Sequence, residues 1–233
     1  MMPLILLPGM MCDARLFAPQ IDTLAPREVI VPALSDHSSV QDLAAQILEH
    51  APYRFALGGL SMGGIVAMEM VRQAPDRVKG LALMDTNPLA EGEAMRARRA
   101  PQMANARAGK LFSVMREEMK PNYLSDSPRK PQILDLCMSM AMDLGPNVFC
   151  RQSIALRERP DQSETLRSYA GPSLVLCGRE DQLCPVERHQ LMHDLLPNSS
   201  LRIIEGAGHL PTLEQPDDTT SALAGWLKEL DHE

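Results

Sequence analysis

Gly58-Gly59-Leu60-Ser61-Met62-Gly63-Gly64 joins two segments of different periodicity. Before it, residues 54–57 form a short apolar run, which suits a strand buried on both faces. After it, residues 65–73 carry apolar side chains at helical spacing. The join contains Gly-x-Ser-x-Gly at 59–63. A serine there sits on a very tight strand-to-helix turn. Gly59 and Gly63 remove side chains that would collide as the turn closes. The helix start then aims backbone N–H groups at any negative charge that develops beside the serine. A glycine turn used only for close packing would look similar. A phosphate loop would continue with Gly-Lys-Ser/Thr, and a dinucleotide turn would read Gly-x-Gly-x-x-Gly; the sequence has neither.

Working outward, further short apolar runs lie at 3–7, 28–33, 78–84, 173–177 and 201–204. Residues 40–48 keep helical spacing, and so do Leu223, Trp226, Leu227 and Leu230. Strands alternating with helices imply a mostly parallel sheet covered on both faces. The alternation fails between 89 and 166, where no strand is expected. Ile133, Cys137, Met140 and Leu144 recur at helical intervals there, and Pro121, Pro128, Pro131, Pro146 and Pro160 divide the region into several short helices. We therefore expect a core of residues 1–88 and 167–233 with a helical lid at 89–166. Arg96, Arg98, Arg99 and Arg107 in that insert suit either a solvated helix face or an anion-binding wall.

A serine hydroxyl is a weak nucleophile at neutral pH and needs a base. Of the six histidines, His209 stands in Gly206-Ala207-Gly208-His209-Leu210-Pro211, just past the last strand. That is the carboxyl edge of the sheet, where Ser61 also lies. His37, near another strand end, is the second choice. His189 and His193 are four apart, but Gln190 stands where a zinc protease would need glutamate, so the pair reads as a surface helix face. His232 lies in a frayed tail. The base needs an acid to fix its tautomer. Asp181 follows the strand at 173–177, and Asp85, after the strand at 78–84, is the alternative.

The chain has 233 residues and a net charge of −7, which gives no electrostatic reason to seek nucleic acid or an anionic membrane. No apolar run in the sequence approaches membrane-spanning length. The start lacks a basic segment and a cleavage site. Five cysteines form neither a disulfide framework nor a zinc pattern, so a reducing, cytoplasmic setting is expected, with no metal and no cofactor. Cys12 and Cys184 flank candidate site loops and read as reactive thiols or, more simply, as small buried hydrophobes. The 16 methionines and few aromatics suit an enclosed apolar pocket for a small-molecule substrate.

Taken together, Gly59-Leu60-Ser61-Met62-Gly63-Gly64, Gly178 through Asp181 with Pro185, and Gly206-Ala207-Gly208-His209 with Pro211 resemble the nucleophile, acid and histidine loops of the α/β-hydrolase superfamily over nearly the whole chain. The order Ser61, Asp181, His209 is the order of that fold. The resemblance implies a Ser-His-Asp triad. It also implies an oxyanion hole made by the backbone N–H groups of Met62 and of Met10 or Met11, in the loop after Leu6-Leu7-Pro8-Gly9. Many members have His-Gly where this chain has Pro8-Gly9, so a hydrogen bond that braces the loop is expected to be missing. Because only about seven residues precede that loop, two leading strands are expected to be absent, leaving a shortened sheet of about six. The activity implied is hydrolysis of a small or medium carboxylic ester. The same triad also serves thioesters, lactones, carbon–carbon cleavage and perhydrolysis. A receptor that keeps the fold but turns over little is the reading from another class. Haloalkane dehalogenation would need aspartate at position 61.

Overall fold

The computed structural model describes residues 1–121 and 123–232. Six strands form one sheet in the order β2-β1-β3-β4-β5-β6, and every neighbouring pair is parallel. In chain order the elements are β1 (Leu4–Leu7), α1 (Ala18–Leu24), β2 (Val29–Ile30), α2 (Val40–His50), β3 (Phe55–Leu60), α3 (Met62–Gln73) and β4 (Val78–Met84). An all-helical excursion follows, with α4 (Glu93–Asn105), α5 (Leu111–Ser113), α6 (Lys130–Arg157) and α7 (Ser163–Ser168). The chain then returns to the sheet with β5 (Ser173–Gly178), α8 (Val186–Leu195), β6 (Ser199–Ile204), α9 (Pro211–Glu214) and α10 (Pro216–Leu230).

The period-two geometry of a strand explains the two-faced core. Along β1, Ile5 and Leu7 point to one face while Leu4 and Leu6 point to the other. β4 repeats this, with Leu81 and Leu83 on the first face and Ala82 and Met84 on the second. The first face is closed by α2, α3 and α8, through residues such as Leu43, Val66 and Met192. The second is closed by α1 and α10, through Leu223, Trp226, Leu227 and Leu230. Each such Leu, fully buried, contributes about 1.5–3 kcal/mol. The central strands therefore read as continuous apolar runs, whereas the edge strand β6 alternates between half-buried and exposed.

Two element expectations change. The run at 28–33 pairs only over Val29–Ile30, because Pro32 offers no N–H to extend the ladder. The prolines do not all cut the excursion: Pro131 sits in the first turn of α6, where its missing N–H costs nothing. α6 is broken instead at Gly145, whose φ of 77° is non-helical and which precedes Pro146. By length and composition α6 passes as a membrane span, contrary to the sequence expectation. In this fold its apolar residues, among them Cys137, Met140, Phe149 and Leu156, pack into the core.

Candidate active site

Ser61 stands between β3 and α3 with φ 55° and ψ −116°, a backbone conformation that L-residues rarely adopt. The turn is held by neighbours that only glycine admits. A Cβ on Gly63 would lie 1.9 Å from the Leu7 carbonyl oxygen, and one on Gly59 would lie 2.3 Å from the Gly63 carbonyl oxygen. The Ser61 N–H donates to the Met84 carbonyl at 2.9 Å, and the Thr86 hydroxyl donates to the Ser61 carbonyl at 2.8 Å.

Three side chains chosen from distant loops meet here. Ser61 Oγ is 2.9 Å from His209 Nε2, and His209 Nδ1 is 2.8 Å from Asp181 Oδ2. The second carboxylate oxygen of Asp181 accepts the N–H groups of Leu183 (2.8 Å) and Cys184 (3.0 Å). Burial alone would raise the Asp181 pKa, but His209 and those two N–H groups hold it below the ordinary carboxylate value. Asp181 is thus an acceptor on both oxygens. The Nδ1 of His209 then carries its proton toward Asp181, and Nε2 is left to face the serine.

Asp85 is fully buried at φ 45°, with Oδ1 accepting the Gly178 N–H at 2.9 Å. Among the described residues its other oxygen has no hydrogen-bond partner. Burial first, then the nearby Asp181 charge, push its pKa well above the usual range, which disfavours its charged form. His37 lies beyond β2 beside Asp36 and forms no hydrogen bond to Ser61. Cys12 and Cys184 are buried, and burial pushes both thiols up, Cys12 to about 12, so neither is a reactive thiolate. Asp181, Cys184 and His209 lie close enough to hold a metal ion, but the facing nitrogen and oxygen of His209 and Asp181 are already spent on each other.

The structure separates Met10 from Met11. The Met11 N–H donates to Gln152 Oε1 at 2.9 Å, with Met11 held at φ 56°, whereas the Met10 N–H meets no acceptor among the described residues. The Met62 N–H is in the first turn of α3, where no carbonyl lies four residues back to receive it. Gln152, buried on α6, also donates to the Leu34 carbonyl at 2.8 Å. It supplies the brace that Pro8 cannot. Replacing it with alanine frees the Met11 N–H and loosens the loop. Losing a neutral hydrogen bond of about 1–1.5 kcal/mol lowers kcat roughly tenfold, with KM nearly unchanged. Steady-state kinetics on a p-nitrophenyl ester checks this, and an unaltered kcat would remove Gln152 from the account.

Two further supports escaped sequence reasoning. Glu214, at the end of α9, accepts the N–H groups of Gly208 and Leu210 on one oxygen and the backbone N–H and side-chain O–H of Ser125 on the other. It clamps the histidine loop to the excursion, where the Tyr123 carbonyl receives the His209 N–H at 2.7 Å. His189 is not on a surface face, as expected from sequence, but completely buried. Its Nε2 accepts the Thr86 N–H at 3.1 Å, steadying the residue that holds Ser61. The spacing of His189, Met192 and Leu196, all buried, was the available signal. Burial lowers the His189 pKa from 6.5 to about 4. The unfolded chain therefore binds the extra proton between those values. The stability from neutral His189 is whole above pH 6.5 and drains away as pH falls toward 4. Between pH 7 and pH 5 the urea midpoint should drop more for the native chain than for His189→Gln; parallel curves would contradict this.

These features sit on a sheet edge shared with many proteins. The sequence profile of the alpha/beta hydrolase family matches residues 4–222. The chain belongs to that family. A pimeloyl-[acyl-carrier protein] methyl ester esterase of Vibrio vulnificus is 28% identical over 185 residues, covering 77% of this chain and 72% of the relative. The biotin biosynthesis bifunctional protein of Teredinibacter turnerae is 22% identical, and the match spans 85% of this chain but only 38% of that longer protein. Among solved structures, a thermophilic esterase from Thermogutta terrifontis superposes with a TM-score of 0.91 at 28% identity, covering 99% of this chain and 90% of the other. In this alpha/beta hydrolase the sheet is parallel and holds the six strands anticipated.

Proposed function

We propose that this hydrolase cleaves a small or medium carboxylic ester through an acyl-enzyme on Ser61. The observation that carries the reading is the unbroken line from Ser61 Oγ through His209 to Asp181, beside a cavity of about 530 Å³. Ser61 Oγ bonds to the ester carbonyl carbon as His209 Nε2 takes the hydroxyl proton. The carbonyl oxygen becomes an oxyanion within reach of the Met10 and Met62 N–H groups. The carbon–oxygen bond to the leaving alcohol breaks, and His209 returns the proton to that alcohol. Water then attacks the acyl-enzyme, again giving its proton to His209, and the acid and free Ser61 are released. Asp181 supports the imidazolium at both stages. In this reading residues 89–166 act as a lid over the core formed by 1–88 and 167–233, since Tyr123, Met119 and Leu156 of that segment line the same cavity as Ser61. Five buried, unpaired cysteines support a reducing, cytoplasmic setting.

The names of the relatives, esterase and methyl ester esterase, favour the ester among the acyl substrates that such a triad can serve. The test is labelling of Ser61 by a fluorophosphonate, followed by a panel of esters, thioesters and lactones. Labelling with ester turnover supports the proposal. Tight ligand binding without turnover would favour a receptor, and preferential cleavage of thioesters or lactones would move the substrate class.

A further inference from the structure

The cavity beside Ser61 is not purely apolar: charged side chains share its wall with methionines and leucines. Four arginines and only two carboxylates line it, although the chain as a whole carries a net charge of −7. Arg98 on α4 and Arg188 on α8 are exposed at its wall, and neither side chain makes a hydrogen bond or ion pair among the described residues. Deeper in, Arg99 and Arg159 share a single carboxylate. Glu91 receives Arg99 at 2.7 and 3.1 Å and Arg159 at 3.0 Å. These side chains are only 7%, 2% and 10% exposed for Arg99, Glu91 and Arg159 respectively. Two buried guanidinium groups against one carboxylate leave a positive charge without a counter-charge, which is costly away from water. Among the described residues, the one hydrogen bond of Arg99 Nη1 goes to the Met10 sulfur at 3.4 Å, a weak acceptor. A purely structural strut would need one arginine for Glu91, and it would leave the two rim arginines unexplained.

We propose that the ester cleaved at Ser61 carries a second, anionic group remote from the scissile carbonyl, a carboxylate or a phosphate, which the Arg99–Glu91–Arg159 cluster receives while Arg98 and Arg188 draw it in. The proposal rests on the ester-cleaving role of Ser61. An anion beside Arg99 completes the buried charge balance and gives Nη1 a strong acceptor. The rim arginines act through a longer-range field, which salt screens.

The experiment compares kcat/KM for monomethyl adipate, its ω-phosphate counterpart and neutral dimethyl adipate, following acid release at low ionic strength. Each anionic ester that fits should exceed the neutral one by about tenfold, an effect typical of one charged contact. The two anionic arms tell carboxylate from phosphate. In Arg99→Met, Glu91 keeps Arg159 as a one-to-one partner, so the fold retains a satisfied pair and only the surplus charge is lost. The anionic-to-neutral ratio should fall about tenfold. In the surface double variant Arg98→Ala/Arg188→Ala it should fall about threefold at low salt, and the gap to the native chain should close in 0.5 M NaCl, roughly as Debye screening dictates. Titrating the Ser61→Ala variant with the same esters by calorimetry reads the preference without turnover, so a failed ester reading is told apart from a failed anion site. A native chain that prefers dimethyl adipate, or a ratio unmoved in both arginine variants, overturns the proposal.

Discussion

Ser61→Ala lowers kcat toward carboxylic esters by about four to six orders of magnitude and abolishes fluorophosphonate labelling. The size follows from what is lost. Without Oγ no acyl-enzyme forms, and His209 Nε2 has no proton to take. What persists on the proposed mechanism is binding in the cavity and the proposed Met10 and Met62 donors, which leaves a residual rate of about 10³–10⁴ over water. The substitution keeps a side chain of nearly the same size at φ 55°, so the fold should survive it. A circular dichroism melt within a few degrees of the native chain would show that the loss is chemical. Substantial ester turnover by a folded Ser61→Ala protein would sink the nucleophile assignment.

Asp181→Asn comes next, at about ten-thousand-fold in kcat. The hydrogen bonds dictate how the new amide must sit. At the Oδ1 position two N–H groups, from Leu183 and Cys184, both need an acceptor, so the amide oxygen goes there. The NH₂ then faces His209 Nδ1 at the site where Oδ2 now accepts. To receive that donor, His209 must give up its Nδ1 proton and carry one on Nε2, the nitrogen that should take the serine proton. The base is trapped in the wrong tautomer. Asp85→Asn is the matched control. Burial already disfavours a charge on Asp85, the Asn Oδ1 keeps the Gly178 N–H, and kcat should change by no more than about threefold. Kinetics on the two variants side by side decides between the two acids. The reverse pattern would hand the role to Asp85.

Local sequence carried the serine turn and the alternation of strands and helices, because both are set by neighbours a few residues apart. Gly59 and Gly63 flank Ser61 directly, and the clash each would make with a Cβ is with backbone of the same turn or the adjoining strand β1. The supports around the site were hidden for the opposite reason. Gln152 acts on Met11 across 141 positions, and Glu214 acts on Ser125 across 89. No periodicity joins such pairs; only the packing of α6 and α9 over the sheet edge does. The arginine run at 96–107 was visible, but its division was not. Arg96 pairs with the exposed Glu158, whereas Arg99 turns inward to Glu91. His189 was misread because a polar residue in a helix ordinarily faces water, and its partner, the Thr86 N–H, lies on a different strand end.

Among the described residues, three other than glycine hold positive φ: Met11, Ser61 and Asp85. They follow β1, β3 and β4, so they lie side by side at the carboxyl edge of the sheet. Each costs on the order of 1–3 kcal/mol relative to a relaxed backbone. Backbone strain is therefore concentrated along the seam that carries the candidate nucleophile. Glycine at position 61 would relax the turn but delete the nucleophile proposed there. At Met11 it would empty a fully buried side chain and at Asp85 it would orphan the Gly178 N–H, so neither of those relieves strain at a net gain. At position 61 alone, then, a relaxed main chain and the proposed chemistry exclude each other, a local conflict between durability and turnover.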